Sequence, residues 1–306
     1  MQPTRRQILT ALSEETVSGP DIAANLDISR AAVWKHIEAL RDEGFVIDST
    51  ADGYYLRDKP EFGSTAIEFG LNAPYSIECH DTIDSTNRRA RELADAGENN
   101  VVVISDCQTG GRGRLNREWT SPPGGIWLSL LFRPDIPIAS APIYTLGAAV
   151  AICETVRQFD IDAGIKWPND VLIADKKLAG ILTEMEGEAD QVGWIIVGIG
   201  INANIDSDDL PNTATSLQAE IGTISRRTVI QSLLNRFYTL HMEPSTILPT
   251  WRNLSQTLGK PVRVETAKET ICGTAIDIEF PGSLRIQTES GERVVTTGDC
   301  EHLRPT

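Results

Sequence analysis

The hydrophobic period changes twice along this 306-residue chain, so three stretches with different folding rules follow one another. The first, residues 1–58, runs at helical period. Thr4 is placed to cap a helix whose apolar face is Ile8, Leu9 and Leu12, and Ser18-Gly-Pro-Asp21 opens a second with Ile22, Ala23 and Leu26 inward. Asp27-Ile28 makes a tight turn; Ser29 then caps a third helix with Val33, Ile37 and Leu40 at i, i+4 and i+7, and Gly44 ends it. Phe45-Val-Ile47 and Tyr54-Tyr-Leu56 flank Asp52-Gly53, a hairpin signal. Helix, helix, turn, helix and a two-stranded wing make the winged helix-turn-helix plan.

Residues 59–74 read as a linker with two prolines and two glycines. Over 75–258 strands and helices mix. The pattern predicts strands at 77–82, 101–105, 126–132, 181–185 and 194–201, and helices at 85–96, 142–159, 228–242 and 247–258, hence an α+β domain around one main sheet. From Gly259 the residues alternate apolar and polar in four short runs, punctuated by Gly282 and Ser290-Gly291, which predicts a small β-barrel over 259–306.

Composition narrows the class of protein. No apolar run approaches the roughly 20 residues of a membrane helix, and Met1 to Leu12 lacks the apolar core of a signal peptide, so the expectation is a cytoplasmic protein with no membrane partner. The five cysteines are odd in number and widely spaced, without a C-x-x-C, which argues against a disulfide framework or a structural zinc site. Cys107, beside a glycine-rich loop, reads as apolar filler before it reads as a nucleophile. The net charge is −15, and seven of the 28 basic residues are lysine. This balance suggests a surface adapted to concentrated salt; equal unfolding midpoints in dilute and molar KCl would count against it.

Five short segments have the composition of a chemical site. Gln108-Thr-Gly-Gly-Arg-Gly-Arg114 follows a strand. Its glycines let backbone N–H groups converge as an anion nest, and Arg112 and Arg114 add fixed positive charge. It matches neither a P-loop nor G-x-G-x-x-G. Lys166-Trp-Pro-Asn-Asp170 is an ordinary turn sequence that also places Asp170 where one carboxylate oxygen can meet a phosphate-bound Mg²⁺. In Lys176-Lys-Leu-Ala-Gly-Ile-Leu182 a lysine precedes a strand, and Gly180 permits close backbone approach. Gly198-Ile-Gly-Ile-Asn202 is a strand with two glycines and a terminal amide, and Asp84-Ser-Thr-Asn87 opens a helix. Each segment has a plain structural reading as turn, cap or strand.

Taken together and in this order, they closely resemble the bifunctional branch of the biotin–protein ligase family: Ser-Thr-Asn, Gln-Thr-x-Gly-Arg-Gly-Arg, Lys-Trp-Pro-Asn-Asp, Lys-Leu-x-Gly-Ile, Gly-x-Gly-x-Asn. The resemblance covers nearly the whole chain and implies a class II synthetase-like catalytic domain with an SH3-like C-terminal barrel. It implies that biotin and ATP, with Mg²⁺, form biotinyl-5′-AMP and pyrophosphate, and that biotin then passes to a lysine of a biotin carboxyl carrier domain. Carried over by position, it makes Ser85, Thr86, Asn87, Gln108, Arg112, Gly113, Arg114, Lys177 and Gly180 biotin contacts. It puts Gly111, Arg112, Arg114, Trp119 and Asn202 near the adenylate, makes Lys177, Arg112 and Arg114 the catalytic cations, and leaves Asp170 as metal ligand. A lipoate or octanoate ligase of the same fold and a non-catalytic biotin-sensing repressor are the alternatives; the Arg-bearing loop and Lys177 favour biotin and catalysis.

The same resemblance implies a repressor role at operator DNA with biotinyl-AMP as corepressor, and a homodimer is compatible with it. The third helix would enter the major groove with Arg30, Lys35 and His36 as contacts. Yet residues 1–57 hold six Lys or Arg against nine Asp or Glu, a net of −3, so phosphate attraction contributes less than in a basic reader. Dimerisation or domain packing is the competing use of the motif.

Overall fold

The computed structural model describes residues 1–188 and 190–303, the side chain of Asn116 apart. The chain divides after Cys79 into two compact units. In the first, helices α1 (Pro3–Glu14), α2 (Gly19–Leu26) and α3 (Arg30–Asp42) precede a hairpin of β1 (Val46–Ser49) and β2 (Tyr54–Asp58). Ser18 and Ser29 cap α2 and α3 through bonds from Asp21 N–H and Ala32 N–H. The α1 cap is Gln2 rather than Thr4: Pro3, with its fixed φ and no N–H, takes the first helical position and starts the helix earlier. Ile8, Leu9, Leu12, Ile22, Val33, Ile37 and Leu40 close one core.

The segment read as a linker is folded. It carries the short helix α4 (Ser64–Glu68), and Ala66 and Phe69 join the N-terminal core. Glu68, buried, pairs with the amino group of Met1 and accepts a bond from Ile77 N–H at 3.0 Å.

The second unit is built on a seven-stranded sheet ordered β3-β4-β5-β9-β8-β7-β6. Its strands are β3 (Ser76–Ile83, which crosses the division), β4 (Val101–Gln108), β5 (Ile126–Phe132), β6 (Ala163–Lys166), β7 (Asp170–Ile173), β8 (Lys176–Glu188) and β9 (Gln191–Ile201). Every pairing from β4 to β6 is antiparallel. Central strand β5 is buried at all seven positions because both faces are covered. On one face Leu131, with Val103 and Ile196, packs against Ala90 and Ala94 of helix α5 (Thr86–Asp95). On the other, Phe132 meets Tyr144 of α6 (Ile143–Arg157) and Phe237 of α8 (Arg226–Met242) edge-on. Residues 138–157 are apolar and long enough to cross a membrane by composition, contrary to the expectation that no such run exists; 67% of their apolar window is buried inside the protein, as in a core helix. Short α7 (Leu217–Ile221) and α9 (Ile247–Leu254) are the remaining α-helices of this unit among the described residues.

Beyond α9, strands β10 (Pro261–Glu265), β11 (Thr270–Glu279), β12 (Ser283–Thr288), β13 (Gly291–Val295) and β14 (Asp299–His302) form a five-stranded antiparallel sheet, ordered β13-β12-β11-β10-β14. Alternation along it buries Val262, Val264, Ile278, Leu284, Ile286 and Cys300. The sheet has one strand more than the four runs predicted, β14 being too short to show a period. It is fastened to the β6–β7 turn: Trp167 N–H donates to Thr257 Oγ1 at 2.9 Å and Trp167 Nε1 to the Gly282 carbonyl at 2.9 Å.

Candidate active site

Strand register gathers the chemistry. Residues two apart share a face, so Leu131, Ser129 and Trp127 of β5 point the same way. Opposite them on β9 stand Ile196, Gly198 and Gly200, and opposite those on β8 stand Glu184, Leu182 and Gly180; Asp170 of β7 pairs with Gly180. This face is covered by α5 at the Leu131 end. Beyond Ser129 it opens into a cleft of about 720 Å³ lined by all the site segments and by Gly298 and Asp299 of the C-terminal sheet.

At the helix end, polar groups are wired to one another. Ser85 caps α5 and Thr86 and Asn87 form its first turn. Gln108 Oε1 accepts from Thr86 N–H at 2.8 Å and lies 3.1 Å from Thr86 Oγ1, and Gln108 Nε2 donates to Ser121 Oγ at 2.9 Å. Fully buried Ser129 places its Oγ 2.8 Å from Thr86 Oγ1 and 2.6 Å from Asn87 Oδ1. Asn87 Nδ2 turns to Glu184 Oε2 at 2.9 Å. The Asn87 amide is therefore engaged at both ends by protein. Gly198 makes room for it, since a Cβ there would lie 2.2 Å from Asn87 Oδ1.

At the open end the floor is bare backbone. Paired Gly180 and Gly200 carry the Trp119 indole: Cβ atoms there would meet it at 3.1 and 2.7 Å. Lys177 Nζ lies 4.9 Å from the centroid of that ring and 2.7 Å from Asp170 Oδ1. The Lys177 backbone is pinned by Thr213 O, Thr215 N–H and the Asn202 amide; Asn202, buried, also donates to Thr215 O at 3.0 Å. Asn202 thus meets the cleft mainly as the brace of the lysine.

The glycine-rich loop is a folded-back hairpin. Arg112 and Glu118 face each other in an antiparallel backbone pair, Trp119 N–H donates to Gly111 O, and Gly113 N–H to Arg117 O at 2.8 Å. The Thr109 and Gly110 N–H groups go to Ile83 O and Asp84 O. These three N–H groups are spent on carbonyls, which removes Gly110 and Gly113 from the open backbone nest expected of the loop's glycines. Positive charge comes from the side chains. Arg112 is exposed on the cleft wall, whereas Arg114 is held by Asn169 Oδ1 at 3.1 Å, Gly298 O at 3.0 Å and Thr297 Oγ1 at 3.3 Å. Burial pulls the Arg114 guanidinium below its ordinary pKa, with Asp299 and Asp170 opposing. Arg117 pairs with Asp299 and holds that carboxyl below the usual aspartate range.

All the residues predicted for biotin and adenylate border this cleft or its loop, with Gly111 behind Trp119: a Cβ at 111 would strike Trp119 O at 2.3 Å. Sequence reasoning missed Ser129, Glu184, Asn169 and the contribution of Thr297 to Asp299. A lone hydroxyl in Ile-Trp-Leu-Ser-Leu-Leu-Phe and the first acid after Leu182 were the available signals for two of them.

Comparison with known proteins agrees with this geometry. Residues 80–202 match the model of the biotin/lipoate A/B protein ligase family, residues 4–55 an HTH domain, and residues 257–303 the biotin protein ligase C-terminal domain. A bifunctional ligase/repressor BirA of Bacillus spizizenii is 40% identical across 96% of both chains. This chain belongs to the bifunctional biotin–protein ligase/repressor family. The Bacillus subtilis BirA is 38% identical over the same share of each chain. A solved biotin protein ligase from Aquifex aeolicus, in complex with biotin and ATP, superposes with a TM-score of 0.63 at 27% identity, over 74% of this chain and 99% of that one.

In this ligase/repressor the helix-turn-helix stands in the N-terminal unit. Asp27, at φ 51°, turns α2 into α3, and Arg30 and Lys35 are exposed on α3 with His36 half-buried. Trp34, 56% exposed between them, is an outward aromatic that the charge-based reading passed over.

Proposed function

We propose that this chain joins biotin to ATP as biotinyl-5′-AMP and passes the biotinyl group to a lysine of a biotin carboxyl carrier domain. One observation carries the reading. A hydrogen-bonded polar pocket built from Thr86, Gln108 and Ser129 shares a single cleft with Lys177 and the arginine loop, so that one ligand with a polar head and an acidic tail can meet both. In the first step a carboxylate oxygen of biotin bonds to the α-phosphorus and the bond from that phosphorus to the bridging oxygen breaks, releasing pyrophosphate. Two anions must meet for this, and Lys177 and Arg112 offset their repulsion in a site partly closed to water. Ser85, Thr86 and Gln108 hold the ureido head, and the Trp119 ring over Gly180 and Gly200 shapes the turn between the two halves of the adenylate. In the second step the carrier amine bonds to the acyl carbon and AMP leaves.

The donor set fits Mg²⁺ arriving on the nucleotide. Asp170 offers one carboxylate and, among the described residues, no cluster of three or more His, Cys, Asp or Glu forms a cage, so phosphate oxygens would complete the shell. Bound there, the ion would supply charge neutralisation at the phosphates. Biotin-dependent exchange of label between pyrophosphate and ATP tests the whole reading: exchange with biotin and none with lipoate or octanoate is expected, and no exchange with any acid refutes it.

The repressor role at operator DNA and a homodimer that would present two α3 helices to two half-sites belong to the same reading, supported by the exposed Arg30, Trp34 and Lys35. A cytoplasmic location fits a chain whose cysteines are all free. Retardation of operator DNA from a biotin-metabolism gene should require biotin plus ATP; equal retardation without them would remove biotinyl-AMP as corepressor.

A further inference from the structure

The proton inventory of the polar pocket points to a residue outside the five site segments. Gln108 is oriented by a donor that cannot turn round: Thr86 N–H must meet Oε1, so Nε2 faces Ser121. Asn87 has no such backbone anchor on its Oδ1 side, where its neighbour is the rotatable Ser129 hydroxyl. What fixes it is Glu184. The Glu184 carboxylate takes Arg91 on Oε1 at 2.7 Å and faces Asn87 Nδ2 with Oε2 at 2.9 Å, while the Leu182 carbonyl stands 3.4 Å from the same nitrogen. A flipped amide would set its oxygen against a carboxylate and a carbonyl, both pure acceptors.

The orientation has a consequence two residues away. With Oδ1 toward Ser129, the serine proton is committed to Asn87, 2.6 Å off. Thr86 Oγ1 gives its own proton to Gln108 Oε1 at 3.1 Å, and the Ser129 hydroxyl, 2.8 Å away, has no second proton to donate to it. Its lone pairs remain for the cleft. With the amide reversed, Nδ2 would donate to Ser129 and Ser129 would donate to Thr86, consuming that acceptor. We propose that Glu184, steadied by Arg91, is a positioning residue that sets the direction of the Asn87–Ser129–Thr86 relay, so that Thr86 Oγ1 accepts from an N–H group of the ligand. The inference rests on the biotin reading, in which that group is a ureido N–H.

Calorimetric titration of biotin and, separately, of ATP into the full chain tests it. Glu184→Ala should weaken biotin binding by about tenfold or more, the range of a hydrogen bond to a charged group, with ATP affinity unchanged. Glu184→Gln should be as weak as Glu184→Ala: Arg91 claims the amide oxygen, the new NH₂ faces Asn87, and the relay reverses. Adding Glu184→Ala to Asn87→Ala should cost nothing further, because Glu184 acts through Asn87. Parental biotin affinity in Glu184→Gln, or equal losses for biotin and ATP, would overturn the relay while leaving the ligase reading intact. A parent chain that binds no biotin would overturn both.

Discussion

Lys177→Ala should reduce biotin-dependent ATP–pyrophosphate exchange by about three orders of magnitude or more. The lysine Nζ sits 2.7 Å from Asp170 Oδ1 with a third of its side chain accessible, on the floor where acid and nucleotide must meet. One unit charge facing another at about 4 Å, in surroundings of effective dielectric near 20, is worth roughly 4 kcal/mol, which corresponds to about a thousandfold in rate. The true loss should exceed this, because the substitution also leaves the Asp170 carboxylate uncompensated beside two incoming anions. Adding Asp170→Asn removes that second repulsion, so the double variant should recover part of the exchange unless the carboxylate is needed to hold Mg²⁺. The assay is initial-rate exchange at saturating biotin and ATP across a magnesium titration, with near-ultraviolet circular dichroism to confirm the fold. A loss of less than about tenfold in a folded Lys177→Ala variant would refute the charge-neutralisation argument.

Gly198→Ala should weaken biotin far more than ATP and lower the thermal midpoint, since its Cβ would lie 2.2 Å from Asn87 Oδ1; overpacking of this kind costs roughly 1–3 kcal/mol. Asp299→Asn should flatten the acid limb of stability. Arg117 holds this carboxyl below the usual aspartate pKa, so the pair stabilises above that ordinary value and the contribution is lost as pH falls through the folded value, roughly 1 kcal/mol at most for so exposed a pair. His302 is held neutral by burial, with its pKa lowered to about 4, and sits 3.0 Å from Thr257 Oγ1. Its stabilisation should be complete above about pH 6.5 and decline between there and about 4, and urea midpoints of His302→Gln should vary less over that window.

The winged helix was legible because its caps and periods are local: Ser18 and Ser29 do what side chains of their kind do at a helix start. The glycines were legible as sites of close approach, but what approaches was not, because Trp119 and Asn87 reach Gly200 and Gly198 from segments some 80 to 110 residues earlier in the chain. Strands β6 and β7 escaped notice since each is four residues long and Lys166-Trp-Pro-Asn-Asp170 reads as a turn; it is that turn, and the pairing it creates also carries Asp170 to the cleft. Strand β8 begins at Lys176, earlier than its apolar run, so Lys177 lies in a strand opposite Leu172 rather than ahead of one. The nest expected of the Gly-Arg loop fails because backbone carbonyls take its N–H groups first: Ile83 O and Asp84 O those of Thr109 and Gly110, and Arg117 O, within the loop, that of Gly113.

Arg114 ends on an oxygen of Gly298 and one of Thr297, and Arg117 on Asp299, so the glycine-rich signature loop is moored to the C-terminal sheet. Transplanting a catalytic core of this kind onto a foreign carboxy-terminal module would succeed only if the graft also supplied a carbonyl and an acid at the mooring point. Loop sequence and terminal sheet should therefore be exchanged as one inheritable block, and hybrids that split them should shed their activated intermediate.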